Sequence, residues 1–248
     1  KEGATAVVAQ AEPPADPAAT EEVRSWVERS LAMAGHLAVV LGLLFIGSKH
    51  FRDLETGVAM GTLYLLLPYT AYHIAQLHHV LPAALTVWAV FAYRQPRLSG
   101  WLLGLAAGGA FFPVLLLPVW MHFYWKRGAW QFASRFVLAA AVSLGVTLLV
   151  LWTAGVFPGG LGRVLHSADW QPWIKPSAES VWQGVHWAYR LPVFIVYAAL
   201  LATTFFWPPV RTVGHAVALS AAVLIGVQFW YADRGGLYVL WYAPLLLV

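Results

Sequence analysis

The residues best suited to chemistry fall in two places. Gln76, His78 and His79 stand close together, and near neutral pH imidazoles can donate, accept or act as a general base. Asp169 lies beside Trp170, with Trp173 and His166 close by and Arg163 and Lys175 flanking the group. A carboxylate beside aromatic faces suits carbohydrate recognition, because a sugar ring stacks on Trp while the carboxylate binds or deprotonates a hydroxyl. Both groups have a plainer reading as helix ends and Trp residues at headgroup level. His73 is too poorly spaced from His78 to share a helix face with it, so no metal site is expected, and nothing in the sequence calls for a cofactor. Asp53 and Glu55, with Lys49 and Arg52 alongside, read as a solvated loop.

Other chemistries are excluded by absence. The chain has no cysteine, which removes disulfides, thiol nucleophiles and iron–sulfur ligation. It carries no Walker A loop, GxGxxG turn, HExxH or GxSxG motif, so the common nucleotide, zinc-protease and esterase sites have no support.

The elements that must position these residues belong to a membrane protein. Of 248 residues, 60% are hydrophobic and only 10% charged, against roughly 25% charged in a soluble domain; mean hydropathy is +0.66. The net charge of +4 is spread singly or in pairs between apolar runs, so it reads as a topology signal and gives no nucleic-acid surface. The expected fold is all-α, a polytopic transmembrane helix bundle of about 7–9 membrane segments. Residues 1–19, rich in Ala, Pro and Glu, are expected to be a disordered lead, and residues 20–248 the helical domain. Thr20 is the expected N-cap of a short interfacial helix entering the first span at 31–47.

Further spans are expected at 57–75, 80–93, 136–155, 191–207 and 212–230, with another starting near 236. That last run is shorter than a span, and the chain begins at Lys1, so the sequence reads as part of a longer protein. Gly57 and Gly61, and the ridge of Gly100, Gly104 and Gly108, are small-residue faces on which other membrane proteins could pack. Trp182 and Trp187 are expected to rest on lipid.

Residues 98–124 have an awkward length. One straight helix would be roughly 40 Å long, against an apolar core of about 30 Å, yet two full crossings need more residues. Gly109 through Pro113 is the weak point. A re-entrant hairpin would gather Lys49, Arg52, Arg94, Arg97, Lys126, Arg127, Arg135 and Arg211 on one face, and would leave Arg163, Lys175, Arg190 and Arg234 on the other. The sequence therefore predicts a hairpin over a tilted, kinked helix. By the same rule the loop at 157–189 faces outward with Gln76, His78 and His79.

The stretch 76–118 resembles the polytopic glycosyltransferases of the GT-C superfamily, in particular the polyprenol-phosphate-mannose-dependent type. The resemblance rests on Gln76, the basic turn 94–97, the passage 100–107, Phe112-Pro113, the leucine run ending at Pro118, and Lys126-Arg127. It implies a helical membrane enzyme, in a bacterial inner membrane, that transfers a sugar from a polyprenyl-phosphate donor to a lipid or glycan acceptor at the outer face. On this reading His78, His79 and Asp169 are the catalytic candidates, and Gln76, Arg163, Trp170 and Trp173 would bind substrate. Two features depart from the family. No lysine precedes Phe112-Pro113, where Gly109, Ala110 and Phe111 stand, and no acidic residue follows the first span in a matching outward loop. The competing expectation is a non-catalytic scaffold or subunit of a larger membrane complex. Proton- or sodium-coupled transport is disfavoured because the expected spans contain no Asp or Glu.

Overall fold

A computed structural model of the chain describes residues 17–72, 77–153, 182–206, 212–231 and 238–248. Among the described residues there are ten α-helices and no strand. Four stretches, Glu21–Phe51, Ala129–Val150, Trp187–Phe206 and Val213–Trp230, are long and apolar enough to cross a membrane, which marks an integral membrane protein.

Helix α1 (Pro17–Phe45) continues into a π-helical turn, Ile46–Phe51. The interfacial helix and first span expected separately are thus one continuous helix. Because α1 begins at Pro17, Thr20 lies inside it and is not its N-cap. The turn ends at Arg52, in left-handed backbone at φ 57°. Asp53 then caps α2 (Leu54–Leu66), accepting from the Glu55 amide at 2.9 Å and from the Thr56 hydroxyl. These bonds, led by the hydroxyl, hold the Asp53 carboxyl below its ordinary pKa.

The span expected at 57–75 is broken. Leu67 is extended, and α3 (Pro68–Tyr72) starts afresh at the proline, which has no amide to continue the helix. Helix α4 (Leu77–Phe91) runs down to the basic turn at 92–95.

Glycine contacts fix the directions of the helices. A Cβ on Gly35 would meet Val80 Cγ1 at 2.9 Å, and one on Gly42 would meet Val87 Cγ1 at 2.7 Å, so α1 and α4 run parallel. Gly47 lies against Gly57, and Gly61 against Val40, so α1 and α2 are antiparallel.

Helix α5 (Pro96–Gly109) packs against α7 (Ala129–Thr153). Gly100 abuts the Phe132 carbonyl, Gly104 the Phe136 carbonyl and Gly108 the Ser143 side chain. Rising numbers on both helices mean that they are parallel, so the chain must return between them. It does so through an extended Ala110, a 3₁₀ turn at Phe112–Leu116 and α6 (Leu117–Phe123). The ends of this excursion meet: Gly128 lies against Pro96, and the Tyr124 hydroxyl donates to the Tyr93 carbonyl at 2.7 Å. The segment 98–124 is therefore a hairpin entering and leaving at one end of the bundle. At roughly 21 Å, α5 reaches only part of the way through an apolar layer of about 30 Å.

Helices α8 (Arg190–Phe206), α9 (Val213–Trp230) and α10 (Val239–Leu247) complete the bundle. The His122 Nδ1 donates to the Thr204 carbonyl at 3.1 Å, tying α6 to α8. The Trp120 indole donates to the Ser220 hydroxyl at 3.1 Å, tying α6 to α9. Trp120, Tyr64, Tyr124, Phe112 and Phe132 are the largest fully buried side chains, so the hairpin's return limb forms the centre of the core.

The described members of the expected basic face share one end. The His50 and Tyr93 rings meet edge to face at 5.2 Å, which brings the α1–α2 loop beside the α4–α5 and α6–α7 turns. Arg211 lies outside the described residues, as do Arg163, Lys175 and Arg234. Arg190 stands at the opposite end.

Gly57, Gly61, Gly100, Gly104 and Gly108 all pack within the chain. The faces expected to receive other membrane proteins are already occupied by α1 and α7.

Candidate functional site

His79 lies near the start of α4, at the end of the bundle opposite the basic turns. Its side chain is buried, and its Nδ1 accepts the Trp241 indole N–H from α10 at 3.0 Å. An indole nitrogen is a donor only, so a neutral His79 carries its proton on Nε2. Pro82, one turn further on in α4, cannot donate back toward the His78 carbonyl, which loosens the helix ladder at this point. The His78 ring lies 4.1 Å from that of His79, and its side chain is exposed.

The hairpin tip supplies the floor. Phe112 stacks on Trp241 with centroids 4.2 Å apart and planes 15° from parallel. Phe111 meets Trp241 at 5.6 Å and Tyr231 at 4.8 Å. Tyr238 leans on Trp241 at 4.3 Å. Geometries of this kind gain about 0.5–1.5 kcal/mol per pair beyond burial, so the platform is held rigidly. It sits where the re-entrant limb turns, because extended Ala110 and the following Pro113 stop α5 there and swing two phenylalanines beneath α10.

A second buried polar pair lies at similar depth. His36 Nδ1 and the Tyr64 hydroxyl are 2.9 Å apart between α1 and α2. Since Gly35 lies level with Val80, His36 is about level with the first turn of α4. Its Nε2 is buried and has no hydrogen-bond partner among the described residues.

Of the predicted site residues, His78 and His79 are the two that the structure describes. Gln76, Arg163, Asp169, Trp170 and Trp173 lie outside the described residues. The ends of the loop that carries the last four are nonetheless fixed. Helix α7 runs about 15 Å past Ser143, where α5 stops, to Thr153. At the loop's other end the Trp182 indole donates to the Phe229 carbonyl at 3.0 Å, and the Arg190 guanidinium lies 5.5 Å from the Trp182 ring. Both ends are thus at the same end of the bundle as His79. Trp182 is tied to α9 and half-buried, whereas Trp187 is half exposed, as a lipid-facing residue would be.

Sequence reasoning missed Trp241, Phe111, Tyr231 and Tyr238, and it missed the pair His36 and Tyr64. Trp241 stands 162 positions from His79, and no periodicity links residues so far apart. Among the described residues no group of His, Asp and Glu is arranged to hold a metal. With an exposed imidazole, a buried one of fixed tautomer and the exposed ring of Phe111 backed by a buried aromatic cluster, the site could orient a ring-shaped substrate and accept a proton from it. Comparison of the chain with protein-family models, with curated proteins and with solved structures returns no match.

Proposed function

We propose that the protein is a membrane glycosyltransferase, moving a sugar from a polyprenyl-phosphate donor to a lipid or glycan acceptor at the outer face of a bacterial cytoplasmic membrane. The observation that carries this reading is the pairing of His78 and His79 with the platform of Phe111, Phe112 and Trp241 at the hairpin tip. It lies at the end away from the basic turns, the outer end by the positive-inside rule.

In the proposed reaction His78 takes the proton of an acceptor hydroxyl. The freed oxygen attacks the anomeric carbon, the bond from that carbon to the donor phosphate oxygen breaks, and the lipid phosphate leaves with the electron pair. Phe111, the exposed ring of the cluster, meets the sugar, while the buried Phe112 and Trp241 hold Phe111 in place. His79, locked by Trp241, orients His78 and presents its Nε2 proton. Asp169 is proposed to share the catalytic role, and Gln76, Arg163, Trp170 and Trp173 to bind the substrate.

The test is transfer of labelled sugar from a lipid-linked donor by the full chain in proteoliposomes, comparing wild type with His78→Ala, His79→Ala and Asp169→Ala. Loss of a positioned general base should slow transfer by about 10²–10⁴. Transfer unchanged in all three variants would reject the site. No transfer by wild type with any donor would favour a scaffold role.

A further inference from the structure

The strongest charge feature outside the proposed site is the mouth of the hairpin. Two turns meet there, at 92–95 and 124–128, joined by the Tyr124–Tyr93 hydrogen bond and by the seat of Gly128 on Pro96. Gly128 has φ +109°, backbone that a side chain would strain, so this closure depends on glycine. The joined turns carry Arg94, Lys126 and Arg127, and Arg97 follows in the first turn of α5.

Two of these cations are mounted on rings. The Arg94 guanidinium lies 5.5 Å from the Tyr93 centroid, and its Nε donates to the Tyr93 hydroxyl at 3.0 Å. The Arg127 guanidinium lies 5.7 Å from the Phe123 centroid. Tyr93 and Phe123 are neighbours with centroids 6.4 Å apart, so the two guanidinium groups rest on one continuous aromatic base. Stacking steadies a guanidinium and leaves N–H edges for an anion.

Among the described residues no carboxylate pairs with them: the one ion pair is Arg24 with Glu28, near the start of α1 at the other end of the bundle. The acidic residues described at this end are Asp53 and Glu55, and the Asp53 carboxylate is engaged in capping α2. Four neighbouring cations, none ion-paired among the described residues, create a local field that favours a bound anion.

The surroundings identify the anion's carrier. Trp125 and Trp130 beside the mouth are 62% and 82% exposed, as tryptophans at headgroup depth are. Phe91 and Leu98 expose apolar surface on the flanking helices. A ligand with a phosphate head and hydrocarbon tails meets both demands, whereas a soluble polyanion would leave the apolar rim uncovered.

We propose that the hairpin mouth is a binding site for an anionic glycerophospholipid of the adjoining leaflet, its phosphate held by Arg94 and Arg127. Arg97 and Lys126 supply further positive potential. This assignment is independent of sugar transfer and of the site at the opposite end.

The full chain is reconstituted in phosphatidylcholine nanodiscs with and without phosphatidylglycerol, and retained lipid is counted by native mass spectrometry. Each cation removed near a membrane surface lowers anionic-lipid affinity roughly fivefold, so R94Q/R127Q should lose phosphatidylglycerol by about thirtyfold. R94K/R127K keeps the charge but not the planar, stacked groups, and should lose most of the retention too. R24Q/R29Q, altered at the opposite end of the bundle, should retain lipid as wild type does. Equal loss in R24Q/R29Q, full retention in R94K/R127K, or displacement of the lipid by inorganic phosphate would each overturn the assignment. Melting curves of each variant in one detergent show whether it is folded, and R94K/R127K keeps the test open should R94Q/R127Q fail to fold.

Discussion

Replacing Gly104 by Ala tests whether α5 and α7 are parallel neighbours in backbone contact. An added Cβ would strike the Phe136 carbonyl oxygen and stand 2.8 Å from Ala139 Cβ and 2.9 Å from Phe136 Cα. Relaxed carbon contacts lie at about 3.5–4.0 Å, so α5 would have to retreat by roughly 1 Å. Overpacking costs about 1–3 kcal/mol, and a rigid carbonyl as the obstacle places Gly104 at the upper end. Ala gains about 1 kcal/mol over Gly in a helix, leaving a net loss of about 2 kcal/mol. In a chain of this size that lowers Tm by about 4–8 °C.

Gly108 offers an internal comparison. There the obstacle is the Ser143 side chain, and the nearest backbone atom, Ser143 Cα, is 3.5 Å away. Gly108→Ala should therefore be rescued by Ser143→Gly, with a coupling energy of about 1–2 kcal/mol. Gly104→Ala should not be rescued by Ala139→Gly, because the Phe136 carbonyl remains. Gly145, inside α7 with nothing within 4 Å of an added Cβ, is the unobstructed control, and Gly145→Ala should melt slightly above wild type through helix propensity alone. The assay is thermal unfolding in detergent, followed by intrinsic tryptophan fluorescence. A Gly104→Ala protein that melts at or above wild type, or one rescued as fully by Ala139→Gly, would refute the packing.

Two further outcomes are expected. Trp241→Phe keeps a ring over Phe112 but removes the donor to His79, and leaving that buried nitrogen unsatisfied should cost about 1–3 kcal/mol; the loss is read from melting, and the released tautomer from imidazole ¹⁵N shifts. The chain has no native cysteine, so single cysteines at Arg97 and Trp125 can report topology: a membrane-impermeant reagent should label both from the same side, and labelling from opposite sides would replace the hairpin with a single crossing.

Much of the architecture could be read from residue order because bilayer thickness and charge act on contiguous segments. The hairpin follows from 98–124 being too long for one span, too short for two, and bounded by basic turns. Local signals misled where packing intervened. Thr20 has a capping side chain, yet α1 runs through it, and α2 ends before Pro68 where one continuous span over 57–75 was expected. The site was less legible because its parts come from distant helices. His78 and His79 stand out as polar residues at a membrane edge, but Trp241 is one of many tryptophans until α10 is seen to lie over the hairpin tip. Likewise Tyr64 gives no sign in sequence that its hydroxyl meets His36.

The shortness of α5 has a consequence for biosynthesis. Neither α5 nor its return limb through α6 is long enough to settle across a bilayer alone, and the glycine ridge of α5 finds its partner only on α7. As the chain emerges, the segment from Pro96 to Phe123 must therefore wait at the membrane surface or within the insertion machinery until α7 has been made. A truncation before α7 would leave the segment without its packing partner.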